Sequence, residues 1–74
     1  MLELIDVIEE LLATEPKNID QVLDIIEELG FKVLNWARIE GDTYMIFLSK
    51  TGALYTMYIN IPVESEYDIV INIA

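Results

Sequence analysis

The sequence contains neither cysteine nor histidine. Without cysteine no disulfide can form, and without both residues the usual ligands of a structural zinc ion are missing. The same absence removes one member of every catalytic pair of the Ser-His or Cys-His type. A chain of 74 residues buries only a modest core. We therefore expect its stability to come from efficient packing or from association with another chain.

Glycine and proline are also scarce, with three and two residues. The glycines form no phosphate-binding motif of the GxGxxG type. No apolar run approaches the roughly 20 residues of a membrane-spanning helix, and the first residues are acidic where a secretory signal would be basic. We expect a single cytoplasmic domain over residues 1–74, without membrane association, cofactor or bound metal.

Basic residues are few, with 4 lysines and arginines against 14 aspartates and glutamates, a net charge of −10. Direct binding of a nucleic-acid backbone needs clustered lysine and arginine, so we expect none here. The acidic residues are concentrated in residues 1–30, which hold nine acids against one lysine. A partner with a basic surface fits such a charge distribution.

What the chain does contain is a high apolar content, 54% of its residues. In the first 30 residues the apolar positions recur at three- and four-residue spacing, which predicts helices over 2–13 and 19–29. Pro16 ends the first helix, Asn18 caps the second, and Gly30 provides its left-handed stop. The short link between the helices indicates a helical hairpin.

Residues 31–74 are rich in β-branched and aromatic residues, which favour strands. The strands are predicted near 32–40, 43–49, 53–61 and 67–73. The sequence therefore predicts a two-layer α+β fold of order ααββββ, in which a four-stranded antiparallel meander carries the helical hairpin (residues 1–30) on one face of the sheet (residues 31–74).

The turns set which side chains share a face of that sheet. We interpret Gly41-Asp42 as a two-residue turn and Lys50-Thr51-Gly52 as a three-residue loop with Gly52 left-handed. With these turns one bulky apolar set packs under the helices: Trp36, Met45, Phe47, Tyr55, Met57 and Ile59. The opposite face then carries Ile39, Tyr44, Ile46, Leu48, Leu54, Thr56, Tyr58 and Asn60.

The second set is largely apolar too, whereas a sheet covered on one side should alternate apolar with polar residues. One interpretation is that the register is displaced by one residue, or that loop 62–66 covers part of this face. The other is that the face is a binding surface, in the first place for a second copy of the chain. The predicted interface consists of Ile39, Tyr44, Ile46, Leu48, Leu54 and Tyr58.

The helices carry acids without basic residues between them, so equal charges four residues apart repel. One interpretation is a face that only keeps the chain soluble. The second is a docking face for a basic partner, in imitation of nucleic-acid phosphates. A divalent-cation site is a third, with a weaker signal because no Asp-x-Asp-x-Asp-Gly loop is present. The predicted docking face consists of Glu3, Asp6, Glu10, Asp20, Asp24, Glu27 and Glu28.

No combination of residues indicates catalysis, because the acids lie on outward helix faces rather than in a cleft. The sequence predicts a small acidic protein-binding module, a homodimer that inhibits or adapts a basic nucleic-acid-handling protein. This profile is typical of small phage or mobile-element proteins, which is an analogy rather than a derivation. The alternative is a structural or regulatory subunit whose acids serve solubility alone.

Overall fold

A computed structural model describes residues 4–73 and confirms the predicted ααββββ order. Its strands form one antiparallel sheet in the order β1-β2-β3-β4. The elements are α1 (Leu4–Thr14), α2 (Ile19–Glu28), β1 (Lys32–Glu40), β2 (Thr43–Lys50), β3 (Ala53–Asn60), a short 3-10 turn (Glu66–Asp68) and β4 (Ile69–Ile73). The predicted start of the first helix at residues 2 and 3 lies outside the described residues.

The ends of α2 are specified by its own sequence. The side chain of Asn18 accepts a hydrogen bond from the backbone N–H of Gln21, at 3.0 Å. At the other end, Gly30 takes a φ of +89° and donates to the carbonyl of Glu27, while Phe31 donates to that of Ile26. These two bonds are those of a Schellman motif, so the predicted cap and stop are both confirmed.

A basic side chain from the sheet reaches the same helix end. The Lys50 ammonium donates to the carbonyl oxygen of Leu29 at 3.0 Å and lies 4.7 Å from the centroid of the Phe31 ring. A cation is favourable at this end of a helix, where the peptide dipoles leave partial negative charge. Lys50 therefore links α2 to the far end of β2.

The turn between β2 and β3 differs from the prediction. Lys50 pairs with Ala53, so the connection is the two-residue turn Thr51-Gly52, not a three-residue loop. Both turn residues have positive φ, +49° for Thr51 and +85° for Gly52. A β-branched residue rarely takes this conformation, so the sequence predicts it for Gly52 alone. Because this turn is one residue shorter than the predicted loop, the pairing of β2 with β3 shifts by one residue. Each side chain of β2 therefore lies on the opposite face of the sheet from the predicted one, relative to β3.

β1 departs from a regular strand in two places. Its pairing with β2 shifts at Leu34 and again at Ile39, which are the extra residues of two bulges. The predicted Gly41-Asp42 turn is confirmed, since Glu40 pairs with Thr43 across it. Beyond each bulge, the side chains of β1 lie on the opposite face from the one that strict alternation predicts. A count of alternating apolar positions therefore does not reveal their face.

The helices cover one face of the sheet and enclose the core. The buried apolar residues come from both layers and from the loop after β3. They are Val7, Leu11, Val22, Ile25, Ile26, Phe31, Ile46, Leu48, Met57, Ile59, Ile61, Val63 and Ile69. No polar or charged side chain is buried among residues 4–73, so packing alone stabilises this core.

The loop before β4 is closed by Asp68. Its carboxylate accepts hydrogen bonds from the backbone N–H groups of Glu64 and Ser65, at 2.8 and 3.0 Å. These bonds, with a weaker one from the Asn60 side chain, lower the pKa of Asp68 below its ordinary value. The resulting turn occupies the predicted start of the fourth strand, which therefore begins at Ile69 and not at residue 67.

Candidate protein-interaction surfaces

The sheet has one face away from the helices, which we call the open sheet face. Strand register determines its members, because residues directly opposite each other in an antiparallel pair point to the same side. They are Lys32, Asn35, Ala37, Glu40, Thr43, Met45, Phe47, Ser49, Leu54, Thr56, Tyr58, Asn60, Val70 and Asn72. The charged residues among them, Lys32 and Glu40, lie at the two ends of β1, and the centre of the face is uncharged.

The apolar members of this face are exposed to a degree unusual for their size. Leu54 and Val70 are each 50% exposed, and Phe47 and Tyr58 are 36% and 37% exposed. Single exposed apolar residues are common on protein surfaces, whereas a contiguous group of them is a candidate interaction site. The open sheet face is such a group, spread over three neighbouring strands.

A shallow depression deepens this face near the first bulge. It has a volume of about 340 Å³. Because the bulge adds a residue opposite Leu48, Leu34 comes to line the depression beside Phe47. The full lining consists of Leu34, Asn35, Phe47, Leu48, Leu54, Tyr55 and Thr56. A branched or aromatic side chain from another surface would fit such an apolar recess.

In the structure, the residues of the predicted sheet interface lie on different faces of the sheet. Leu54 and Tyr58 lie on the open sheet face as predicted. Ile46 and Leu48 were assigned to the wrong face: both are fully buried under the helices, because the shorter turn inverts β2.

Two further members of that predicted interface lie elsewhere. Tyr44 also packs on the helix side, where its ring centroid is 6.1 Å from that of Trp36. Ile39 is exposed and is the unpaired residue of the second bulge, so the register gives it no partner on either face. Of the six predicted interface residues, the register therefore places Leu54 and Tyr58 on the open sheet face and Tyr44, Ile46 and Leu48 on the helix side.

Met45 and Phe47 of β2 also lie on the opposite face from the predicted one. They were predicted under the helices but lie on the open sheet face. Val70 and Leu34 belong to the same surface and were not predicted at all. An Asn-Gly dipeptide at the turn would have indicated the two-residue connection, whereas Thr-Gly does not.

The acidic residues of α2 form the second candidate surface. Asp20, Asp24, Glu27 and Glu28 are all exposed, at helical spacing opposite the buried residues Val22, Ile25 and Ile26. We call these four residues the acidic face of α2. No lysine or arginine occurs within the helix. Carboxylates in this arrangement form a continuous negative surface.

The predicted acids of α1 have more varied positions. Glu10 is exposed and accepts a hydrogen bond from the Thr14 hydroxyl at 3.4 Å. Asp6 is half-buried. Glu3 lies outside the described residues. Over residues 4–73 no group of three or more acidic side chains converges closely enough to hold a metal ion.

Comparison with known proteins adds no family to these observations. The chain matches no family model, no curated protein and no solved structure. None of the helices within residues 4–73 is long and apolar enough to cross a membrane. Any function must therefore be inferred from the two surfaces themselves.

Proposed function

We propose that this chain is a small acidic protein-binding module that performs no catalysis. In this proposal it forms a homodimer through the open sheet face and docks the acidic face of α2 on a basic surface of a nucleic-acid-handling protein, as an inhibitor or adaptor. One observation supports it above the others: the open sheet face, with its uncharged apolar centre, and the acidic face of α2 belong to different layers of the fold.

A second copy is the occupant that best fits the open sheet face. A charged partner would lose hydration at the centre of this face without gaining an opposite charge, whereas the central residues of the same face in another copy are uncharged. Stacking two sheets about a twofold axis leaves both helical layers outside, so the acids stay hydrated and apart. Four strands spaced by about 4.8 Å provide on the order of 500 Å² per copy, the size of a reversible interface.

Docking by the acidic face of α2 would act mainly by electrostatic attraction. Exposed carboxylates raise the association rate of a basic partner and repel nucleic acid. Because the module and the nucleic acid are both attracted to the partner's basic surface, they would compete for it. Such competition is how an acidic module can inhibit a nucleic-acid-handling protein without any chemistry of its own.

Sedimentation velocity over a range of concentrations tests the homodimer. Leu54→Lys places a charge on the open sheet face and should raise the dissociation constant roughly tenfold or more. Ile5→Lys is the matched control, since Ile5 is similarly exposed (56%) but lies on α1. A wild-type chain that stays monomeric at high micromolar concentration, or equal losses in both variants, would exclude this dimer.

Affinity capture from the source lysate tests the docking. Wild type should retain a basic partner at low salt and release it at high salt. Neutralising the acidic face of α2 (Asp20→Asn, Asp24→Asn, Glu27→Gln and Glu28→Gln) should abolish capture. A control with the same charge change elsewhere (Glu15→Gln, Glu40→Gln, Glu64→Gln and Glu66→Gln) should preserve it.

The alternative function gives the opposite result in the same experiment. If the acids serve solubility alone, both neutralised variants bind as wild type does and both become equally prone to aggregate. That outcome would assign the chain to a structural or regulatory subunit and overturn acidic docking.

A further inference from the structure

The two edges of the sheet differ in how they are protected against strand pairing. β1 carries two bulges and three charged residues, Lys32, Arg38 and Glu40. Bulges and charges are the usual means by which proteins prevent an edge from pairing with another chain. β4 has neither: its five residues, Ile69–Ile73, are uncharged, mostly β-branched and paired with β3 without a register shift.

The direction of the backbone groups of β4 follows from the hydrogen bonds of β3. Ile61 donates its N–H to the carbonyl of Asp42, the residue directly opposite it across the β2–β3 pair. The backbone N–H and C=O groups of the odd-numbered residues of β3 therefore point to β2, and those of the even-numbered residues point to β4. Tyr58 pairs with Val70 and Thr56 with Asn72. The backbone groups of Val70 and Asn72 therefore point inward to β3.

The intervening isoleucines consequently point their backbone groups away from the sheet. The N–H of Ile69 donates to the carbonyl of Glu66, which leaves its own carbonyl at the edge. Ile71 and Ile73 each present both a donor and an acceptor there. The side chains of these three isoleucines lie on the helix side, where exposure rises from 5% at Ile69 to 76% at Ile73.

We propose that β4 pairs antiparallel with β4 of a second copy, about a twofold axis at Ile71, joining two sheets into one of eight strands. In that register the two copies of Ile71 exchange two hydrogen bonds, and each Ile73 N–H meets the free carbonyl of Ile69 in the other copy. Every outward donor of β4 thus finds an outward acceptor.

Side chains and charges are compatible with the same register. Ile73 lies beside Ile69 of the second copy, so the most exposed isoleucine of the strand extends the buried layer under the helices. The antiparallel direction keeps the acids at the start of each β4, Glu66 and Asp68, at opposite ends of the contact. No equal charges are brought together at the centre.

This contact is separate from the open sheet face, because it uses backbone groups at an edge instead of side chains on a surface. Either contact alone gives two copies; the two together give four copies with dihedral symmetry where their twofold axes intersect at right angles, and a larger open assembly where they do not. The edge pairing does not depend on the proposed function, and amide exchange tests it independently of the molecular mass.

Amide hydrogen exchange measured by NMR on the isotope-labelled chain gives an alternating signature. In a monomer only the amides of Val70 and Asn72 are protected by β3. Pairing of β4 should slow exchange at Ile71 and Ile73 by roughly tenfold or more as the concentration rises from micromolar to millimolar. Exchange at these two amides that is fast at every concentration would overturn the proposal.

The variant Ile73→Pro removes one outward donor without touching a bond to β3, so the sheet tolerates it. It should abolish the concentration-dependent protection of Ile71, while the matched control Ile73→Thr keeps it. Protection of Ile71 that persists in Ile73→Pro would reject edge pairing.

Leu54→Lys separates the two contacts, since it should leave protection at Ile71 unchanged. A dimer without that protection would support the open sheet face and reject the edge. Protection that survives in Leu54→Lys while its mass falls from four copies to two would support both.

Discussion

At the scale of single residues, Thr51 takes a backbone conformation that its β-branched side chain disfavours. Thr51 occupies the left-handed region in a turn where asparagine followed by glycine is preferred. Thr51→Asn should therefore raise the free energy of unfolding by about 0.5–1 kcal/mol. Urea denaturation measures the change. Thr51→Val keeps the β-branch and should not stabilise the fold, and an unchanged midpoint for Thr51→Asn would contradict the conformational explanation.

Asp68 gives the second residue-scale prediction, which concerns pH. Because its pKa is lowered by the N–H groups of Glu64 and Ser65, its contribution to stability is fully present above the unfolded-state pKa of about 4. That contribution is lost as the pH falls from there through the lowered folded-state pKa. Asp68→Asn should reduce stability at neutral pH, and its difference from wild type should shrink in acid. Thermal melts at pH 7 and pH 2.5 compare the two chains; a difference independent of pH would refute the assignment.

At the scale of elements, one side chain of the sheet contributes to the stability of a helix. Lys50→Met keeps the apolar stem but removes the hydrogen bond to Leu29 and the contact with the Phe31 ring. We expect a loss of about 1–2 kcal/mol in the free energy of unfolding. Lys32→Met is the matched control, because it makes the same charge change at an exposed strand position. Equal losses in urea denaturation would attribute the effect to net charge instead.

The same scale explains which parts of the fold the sequence could predict. The helix ends were predictable because Asn18 and Gly30 act locally, through bonds to residues three or four positions away. The faces of β2 were not, because they depend on Thr51 adopting a conformation it normally avoids. Alternation within β3 correctly placed Leu54 and Tyr58 on one face. Phe47 and Leu34 could be placed only once the turn length and the bulges were known.

At the scale of the whole molecule, the net charge of −10 sets opposite salt dependences for the two proposed contacts. Two copies repel each other, and salt screens that repulsion while strengthening apolar burial. Self-association should therefore tighten as sodium chloride rises from about 20 mM to about 500 mM, whereas docking on a basic partner should weaken over the same range. Sedimentation velocity and affinity capture in matched buffers measure both. Self-association that weakens with salt would mean that ion pairs hold the copies together, which the uncharged centre of the open sheet face and the uncharged strand β4 do not provide.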